Sequence, residues 1–251
     1  MQEQPEDAPL RLIYRNPPRR ERDICPICTA PKNPNYPLCH ACNMHSGSGE
    51  PLADFVAPLS WAPIGGQAYA DLSSYKDEAQ QEVADVAAER LRLMLRLAFT
   101  NYAQCLMPGW EASTVAIVNV PSTAGRLGPH PMEAILAMFG PNIPRLMPVY
   151  VGDTDRTRDG RRQLRPDDWK VNPSALAGLT QAVVIDDSWV TGGHAQSIAS
   201  SLKLAGIARV GIVPFGRVLR TDWAPNIEYF HDHPAIAFDS QVCPLHGTRH
   251  T

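Results

Sequence analysis

The sequence predicts an α/β protein in which helices flank a mainly parallel sheet. Short runs of β-branched and other apolar residues at 115–120, 183–185 and 210–215 are typical of strands that are buried on both faces. Apolar residues recur at three- and four-residue spacing in 77–107 and 195–205, which predicts helices there. Alternation of buried strands with helices favours a parallel sheet.

The length and composition are those of an ordinary globular protein. A chain of 251 residues can form one medium-sized domain and a small additional module. The apolar fraction of 44% and the charged fraction of 20% are ordinary for a globular protein, and a net charge of −3 gives no general attraction to nucleic acid or anionic membranes. No apolar run approaches the roughly 18 residues of a membrane span, and the polar start is unlike a signal peptide. We therefore expect a cytoplasmic protein with no membrane partner.

Four cysteines in two C-x-x-C pairs indicate a zinc-ribbon-like N-terminal module. We place this module at residues 1–52. Cys25 and Cys28 form the first pair, and Cys39 and Cys42 form the second after ten intervening residues. This spacing places four thiolates around one tetrahedral Zn²⁺, and the metal would supply stability that the few apolar residues cannot. A disulfide framework is a weaker interpretation, because nothing indicates secretion. A redox motif is weaker too, because two paired C-x-x-C motifs, here called knuckles, are not a thioredoxin motif.

Basic residues dominate between residues 11 and 45, where five arginines and Lys32 oppose only Glu21 and Asp23, a local net charge of +4. Two interpretations stay open. The segment is an arm that docks on nearby acidic surface, which we favour, or it makes a weak contact with a nucleic acid backbone.

The first long helix is expected at 77–107, with Met94 and Cys105 most simply explained as core residues. The buried strand 115–120 follows. It ends in a turn of small, hydroxyl-bearing and basic residues at 121–126, where a βα loop is expected.

A short helix at 131–139 and a strand at 148–151 lead into a polar segment at 153–170. Within 156–165, five arginines accompany one acid, Asp159. Such a run is commonly a solvated surface.

The stretch 183–194 carries the clearest chemical signal. An apolar strand ends in Asp186 and Asp187, and Thr191 then opens a glycine turn that leads into a helix. Ligands of open α/β sheets bind at the carboxyl ends of strands, and a helix N-terminus favours a phosphate. A ribose 5-phosphate suits both the acidic pair and the glycine turn, with its hydroxyls at the carboxylates and its phosphate at the turn.

Other interpretations of this stretch are weaker. Two aspartates after a strand also occur in solvated turns, and Thr-Gly-Gly is common in loops. The order of strand, acidic pair, turn and helix makes coincidence the minority interpretation. No P-loop motif occurs, and no G-x-G-x-x-G follows a strand, which argues against two other kinds of phosphate site.

The strand 210–215 precedes Arg217, Arg220 and Trp223, which we expect in a loop. Trp223 could stack on a base, although closing the edge of the core is the simpler role. The tail contains further metal-binding residue types, which are His231, His233, Cys243, His246 and His250. Their irregular spacing argues against a second metal site.

The stretch 183–194 resembles the signature of type I phosphoribosyltransferases, which binds 5-phosphoribosyl 1-pyrophosphate (PRPP). Together with the four-cysteine module, it resembles the ComF family, which is associated with DNA uptake (competence) and described as phosphoribosyltransferase-like. Residues 59–63 and the Tyr75-Lys76 element are similar to the linker of that family. The resemblance covers most of the chain.

This resemblance implies a type I phosphoribosyltransferase-like domain over residues 53–251. Asp186 and Asp187 would hold the ribose hydroxyls, and the following turn would bind the 5′-phosphate. The residues implied for the turn are Ser188, Val190, Thr191, Gly192, Gly193 and His194. Val190 and His194 replace hydroxyl-bearing residues that are frequent in the family, so two side-chain contacts to phosphate are expected to be absent.

The same resemblance assigns a pyrophosphate-binding role to the loop after strand 115–120. The residues implied there are Ser122, Thr123, Gly125 and Arg126. An ordinary loop is an equally good interpretation of each residue alone. The arginine-rich segment resembles the mobile loop that closes over PRPP in the family, and a solvated surface is an about equally good interpretation. The sequence does not single out one arginine of 156–165; Arg161 and Arg162 are taken as the expected catalytic cations.

We therefore expect a phosphoribosyltransferase-like enzyme, a glycosyltransferase of the pentosyl class, that transfers ribose 5-phosphate from PRPP to an unidentified nitrogenous acceptor and releases pyrophosphate. Zn²⁺ would be structural, and Mg²⁺ would bridge pyrophosphate and ribose oxygens. The alternative is a non-catalytic protein on the same fold that senses PRPP or nucleotides, or a competence factor that binds single-stranded DNA. A homodimer is compatible with either function.

Overall fold

The computed structural model describes residues 8–250 except 110, 112, 123–129, 158–159, 161 and 234–235. Its α-helices are α1 (Ala8–Arg11), α2 (His40–Ser46), α3 (Gln67–Ser74), α4 (Gln81–Leu106), α5 (Met132–Leu136), α6 (Gly193–Leu204) and α7 (Ala224–Asp232). Short 3₁₀ helices lie at Ala137–Phe139, Pro166–Asp168 and Pro173–Leu176. Its strands are β1 (Phe55–Val56), β2 (Ser60–Pro63), β3 (Val115–Asn119), β4 (Arg145–Leu146), β5 (Val149–Tyr150), β6 (Trp169–Lys170), β7 (Gln181–Trp189) and β8 (Arg209–Leu219).

The predicted α/β architecture with a parallel sheet is confirmed. Within the described residues, six strands form one sheet in the order β1–β8–β7–β3–β4, and β2 also pairs with β8. Every pair in this sheet is parallel. The expected strand at 148–151 is instead part of a separate antiparallel ribbon of β5 and β6, which brackets the arginine-rich segment.

The strand β7 is longer than the predicted apolar run 183–185, because it continues through both aspartates. The neighbouring β3 accompanies β7 only as far as Ile185, whereas β8 remains paired with it to Trp189. Asp186 and Asp187 therefore lie on a stretch of strand that β3 no longer flanks. This difference in strand length opens the sheet at the position of the acidic pair.

Side chains of β7 alternate between two apolar clusters. Val183 and Ile185 belong to a cluster that contains buried residues of α3, α4 and α5. Ala182 and Val184 belong to a second cluster, which contains buried residues of α6 and all four cysteines of the predicted metal site. The cysteine segment therefore packs directly against the sheet.

The helix α4 begins four residues later than the predicted helix 77–107. The Asp77 carboxylate accepts the N–H of Ala79 at 3.0 Å, which holds the preceding residues in a turn. Near its other end, Tyr102 has non-helical backbone angles that kink the helix. Although α4 has 26 residues, no helix in the described part of the chain is both long and apolar enough to cross a membrane.

The basic N-terminal arm packs onto the rest of the protein. Leu10 and Tyr14 are fully buried, and the Tyr14 hydroxyl donates to Asp71 at 2.6 Å. The Arg19 guanidinium donates to the carbonyl of Pro244 at 2.7 Å. Part of the positive charge of the arm is thus satisfied by carbonyl groups within the protein.

Candidate functional site

A polar cleft of about 310 Å³ lies where β7 extends beyond the end of β3. The residues that were predicted from the sequence and line this cleft are Ser122, Arg162, Asp186, Asp187, Ser188, Val190, Thr191, Gly192, Gly193 and His194. Lys76 and His130 also line it, and no pattern in the sequence predicts a role in the site for either. The predicted residues Thr123, Gly125, Arg126 and Arg161 lie outside the described residues.

Asp187 is held by two groups from the end of α3. The Lys76 ammonium forms an ion pair with the Asp187 carboxylate, and the Tyr75 hydroxyl donates to the same oxygen, Oδ2, at 3.1 Å. Burial acts to raise the pKa of Asp187, but the Lys76 charge and the hydrogen bonds outweigh it, so this pKa lies below its ordinary value. Asp187 is therefore ionised at neutral pH.

Asp186 has the opposite electrostatic environment. Burial and the adjacent charge of Asp187 raise the pKa of Asp186 to about 8, although the Lys76 charge acts in the other direction. The two carboxyl groups share one ammonium, so one of them keeps its proton near neutral pH. Such a site gains most from a ligand that brings hydroxyl donors or a cation.

The turn after β7 depends on two glycines. Gly192 has a φ of +83°, and a Cβ at this residue would lie 2.1 Å from the Trp189 ring. A Cβ at Gly193 would lie 1.7 Å from the carbonyl oxygen of Arg162. The turn lines the cleft, and Gly193 begins the twelve-residue helix α6. The first N–H groups of α6 have no partner within the helix, although the Gly193 N–H donates to the Thr191 hydroxyl at 3.4 Å.

The segment 162–166 is fixed on this turn and on α6. The Thr191 hydroxyl donates to the Arg162 carbonyl at 3.0 Å. The Arg165 N–H donates to the Ser197 hydroxyl at 2.7 Å, and Ser197 lies one turn into α6. The backbone from Arg162 to Arg165 is consequently held beside the glycine turn and α6 by two hydrogen bonds.

The arginine run divides into members with different surroundings. Arg156 forms an ion pair with Asp168, and the Arg165 guanidinium donates to Gln163 at 2.7 Å. Arg162, by contrast, lines the cleft. The described part of the run is therefore neither a uniformly solvated surface nor uniformly directed at the site.

The two positions without the expected hydroxyl groups have contacts of their own. The Val190 side chain packs on the apolar cluster that includes α4. The His194 ring meets the Trp169 ring edge-on, with centroids 5.7 Å apart. Both residues line the cleft, so they shape its wall even though neither offers a hydroxyl group.

The prediction that Arg217 lies in a loop is wrong. The strand β8 extends to Leu219 and includes Arg217. Arg217 is only 7% exposed, and its guanidinium donates to the carbonyls of Trp189 at 2.8 Å and Val190 at 3.0 Å. It therefore anchors the backbone that enters the glycine turn. Trp223 precedes α7 and is 44% exposed, so it does not close the core.

The four predicted metal ligands converge. Their sulfur atoms all lie within 4.8 Å of one another, and Cys28 and Cys39 have sulfur atoms 3.5 Å apart. All four residues are buried. Tetrahedral Zn²⁺ with bonds of about 2.3 Å requires sulfur atoms roughly 3.8 Å apart. Cys25, Cys28, Cys39 and Cys42 can therefore hold one metal ion, as their spacing predicts.

No family model matches the sequence, and no curated protein or solved structure matches it either. The function of the cleft is accordingly argued from its own geometry.

Metal removal is expected to open the cysteine cluster. Chelation should make the four cysteines reactive toward an alkylating reagent and lower the Tm of the chain, because they share an apolar cluster with Trp61 and Trp189. Residue-resolved mass spectrometry of alkylated thiols and thermal melts measure both effects. Cys28→Ser should reproduce them without chelator. Unchanged reactivity after chelation would contradict a metal site here.

Asp186 is expected to impose a pH dependence on stability. Its pKa is raised in the folded protein, so the stabilisation from its bound proton is complete below about pH 4 and is lost as the pH rises through about 8. Asp186→Asn stays neutral, and should melt close to the wild type at pH 5 but higher at pH 8.5.

Thermal melts from pH 5 to pH 9 measure this difference. The control is Asp222→Asn, because Asp222 is exposed and its hydrogen bond with Arg220 lowers its pKa. The control should differ from the wild type by the same amount across the range. If Asp186→Asn also differs by a constant amount, Asp186 is ionised throughout and its proposed electrostatics are wrong.

Proposed function

We propose that this chain binds PRPP and transfers its ribose 5-phosphate group to a nitrogenous acceptor with release of pyrophosphate, as a ComF-like phosphoribosyltransferase. The observation that carries the proposal is that one cleft contains Asp186, Asp187 and the glycine turn that begins α6. Carboxylates that accept hydrogen bonds from hydroxyls and N–H groups that bind phosphate are the two requirements of a ribose 5-phosphate.

The phosphate half of the ligand is proposed to bind the start of α6. The N–H groups there lie at the positive end of the helix dipole. The Thr191 hydroxyl donates to the Arg162 carbonyl, so backbone N–H groups would be the main donors to the phosphate. Binding through the backbone is compatible with the lack of hydroxyl groups at Val190 and His194.

The ribose half is proposed to bind the acidic pair. A hydroxyl that donates to Asp186 favours the ionised form of that carboxyl group and offsets the effect of its burial. Lys76 keeps Asp187 ionised, and because Lys76 also lines the cleft it adds positive charge beside the anionic ligand.

The same groups suit the chemical step. Cleavage of the bond between C1′ and pyrophosphate leaves positive charge on the ribose and negative charge on the leaving group. Asp186 and Asp187 would stabilise the first charge, and Arg162 with Lys76 would stabilise the second. The donor set also fits Mg²⁺, which prefers carboxylate and phosphate oxygens and, when bound, would neutralise charge on pyrophosphate.

We assign Zn²⁺ to the four-cysteine cluster in a structural role. Four thiolates complete a tetrahedral shell and leave no open position for chemistry. The cluster also supports the sheet, since the Trp61 indole N–H on β2 donates to the carbonyl of Thr29, within the first knuckle, at 3.0 Å.

A second candidate function is binding of PRPP or a nucleotide without turnover. It is favoured by the occupation of Asp187 by Lys76 and by the raised pKa of Asp186, which arises from burial and the Asp187 charge. A ligand must rearrange both carboxyl groups, and a sensor could use that rearrangement as its signal. Binding of single-stranded DNA has less support, because Arg19 and Lys32 of the basic arm donate to carbonyl groups of the protein.

Substitution of Asp187 tests the ribose half of the proposal. Asp187→Asn should fold, because Lys76 is 33% exposed and can be hydrated. It should bind PRPP with Mg²⁺ about 10- to 150-fold more weakly, which corresponds to a charge-assisted hydrogen bond of about 1.5–3 kcal/mol. Titration calorimetry measures the affinity, with the exposed Asp222→Asn as the charge-matched control. Equal affinity of Asp187→Asn and wild type would show that this carboxylate does not touch the ligand.

Substitution of Arg162 separates an enzyme from a binding protein. Arg162→Gln should lower the rate of pyrophosphate release about 100- to 1,000-fold, the usual effect of losing one donor to a developing charge, and should weaken PRPP binding much less. Arg165→Gln is the matched control, since the Arg165 guanidinium donates to exposed Gln163. It should change the activation free energy of pyrophosphate release and the free energy of PRPP binding each by less than about 0.5 kcal/mol.

The assay supplies nucleobases and amines as acceptors. Equal losses in rate and affinity for Arg162→Gln would remove its proposed role in the chemical step. If the wild type binds PRPP yet releases no pyrophosphate with any acceptor, the second candidate function replaces the first.

A further inference from the structure

A second cluster of metal-binding side chains lies where the end of α4 meets the C-terminal tail. Cys105, Cys243, His246 and His250 each offer one ligand atom within 4.8 Å of the others. Cys105 Sγ lies 3.4 Å from His250 Nδ1, and Cys243 Sγ lies 3.3 Å from His246 Nδ1. None of these four residues belongs to the four-cysteine cluster or lines the cleft described above.

The backbone brings the tail ligands together in a closed turn. The Gly247 N–H donates to the Cys243 carbonyl at 2.8 Å, and the Cys243 N–H donates to the Thr248 carbonyl at 2.9 Å. Gly247 has a φ of +68°, which a residue with a side chain adopts at a cost. The turn places Cys243 and His246 beside each other and directs the chain toward His250.

Contacts on both sides fix this turn relative to α4. The Asn101 amide donates to the Ser240 carbonyl at 2.9 Å, and the Tyr102 ring meets the His250 ring edge-on at 5.3 Å. The kink at Tyr102 changes the direction of the last turn of α4, which carries Cys105. The four ligands therefore come from two segments that are already packed together.

We infer that these four side chains form a second Zn²⁺ site, with two thiolates and two imidazoles in a tetrahedral shell. Two sulfur and two nitrogen ligands are a usual set for structural zinc, and the tail alone has C-x₂-H-x₃-H spacing. The spacing of the tail residues argues against such a site when the tail is considered alone, but the fourth ligand, Cys105, lies 145 positions before His250. The metal fastens the C-terminal tail to α4 and leaves no open position for catalysis.

Metal analysis of the purified full-length chain tests the inference. The wild type should hold two Zn²⁺ per chain, and Cys105→Ser and His250→Ala should each hold one. Neither Cys105 nor His250 is fully buried, so both variants should fold. The control is His231→Ala, which removes an 85% exposed histidine that is outside the cluster and should keep two Zn²⁺.

Replacement of Zn²⁺ by Co²⁺ distinguishes the two sites by their ligands. In Cys28→Ser the remaining Co²⁺ should show a weaker thiolate-to-metal absorption band than the remaining Co²⁺ in His250→Ala, because two thiolates bind it in place of four. An unchanged metal content in both Cys105→Ser and His250→Ala would overturn the second site. So would a Cys105–Cys243 disulfide, found by mass spectrometry, in metal-replete protein purified without reductant.

Discussion

Two adjacent carboxyl groups, of which Asp187 forms an ion pair with the Lys76 ammonium, organise the site. Asp186 and Asp187 stand on the part of β7 that extends past β3 and stays paired with β8. Lys76 reaches Asp187 from the end of α3, so the same ion pair joins the helical layer to the centre of the sheet. Burial and the charge on Asp187 keep the pKa of Asp186 near 8. Hydroxyl donors or a cation would stabilise the ionised form of Asp186, so the pair favours ligands that bring them. The unequal lengths of β3 and β7 at the carboxyl end of the sheet thereby determine which ligands the cleft suits.

A continuous set of contacts joins the four-cysteine cluster to the glycine turn. Thr29, within the first knuckle, accepts the indole N–H of Trp61, and Trp61 is the sheet partner of Arg217. Arg217 in turn donates to the carbonyls of Trp189 and Val190, immediately before the turn. The metal cluster can therefore support the backbone of the proposed phosphate site without contact with any ligand. This explains why a small metal module and an α/β sheet share one apolar cluster.

Patterns along the sequence were sufficient for the parallel α/β architecture, the acidic pair and the four-cysteine cluster, because each depends on nearby residues and on periodicity. They could not show that the strand at 183–185 continues to Trp189, since its length is set by pairing with β8. A loop is the natural prediction for Arg217 because it follows the apolar run 210–215, and only the three-dimensional structure shows the carbonyl groups that satisfy it within β8. Helical spacing with apolar residues favours a core role for Cys105, and no local pattern can show its proximity to the tail residues, which are distant in sequence.

The glycine turn has a structural requirement in addition to any ligand it binds. A side chain at Gly193 would collide with the Arg162 carbonyl, and one at Gly192 would collide with the Trp189 ring. The segment 162–166 can approach α6 only because Gly193 has no Cβ, and the Thr191 hydroxyl then holds the Arg162 carbonyl in place. The features that make the turn suitable for a phosphate are thus the same ones that bring an arginine to the cleft. The backbone proposed to bind phosphate and the arginine proposed to stabilise the leaving group are therefore coupled by packing, so a substitution at either glycine should disturb both.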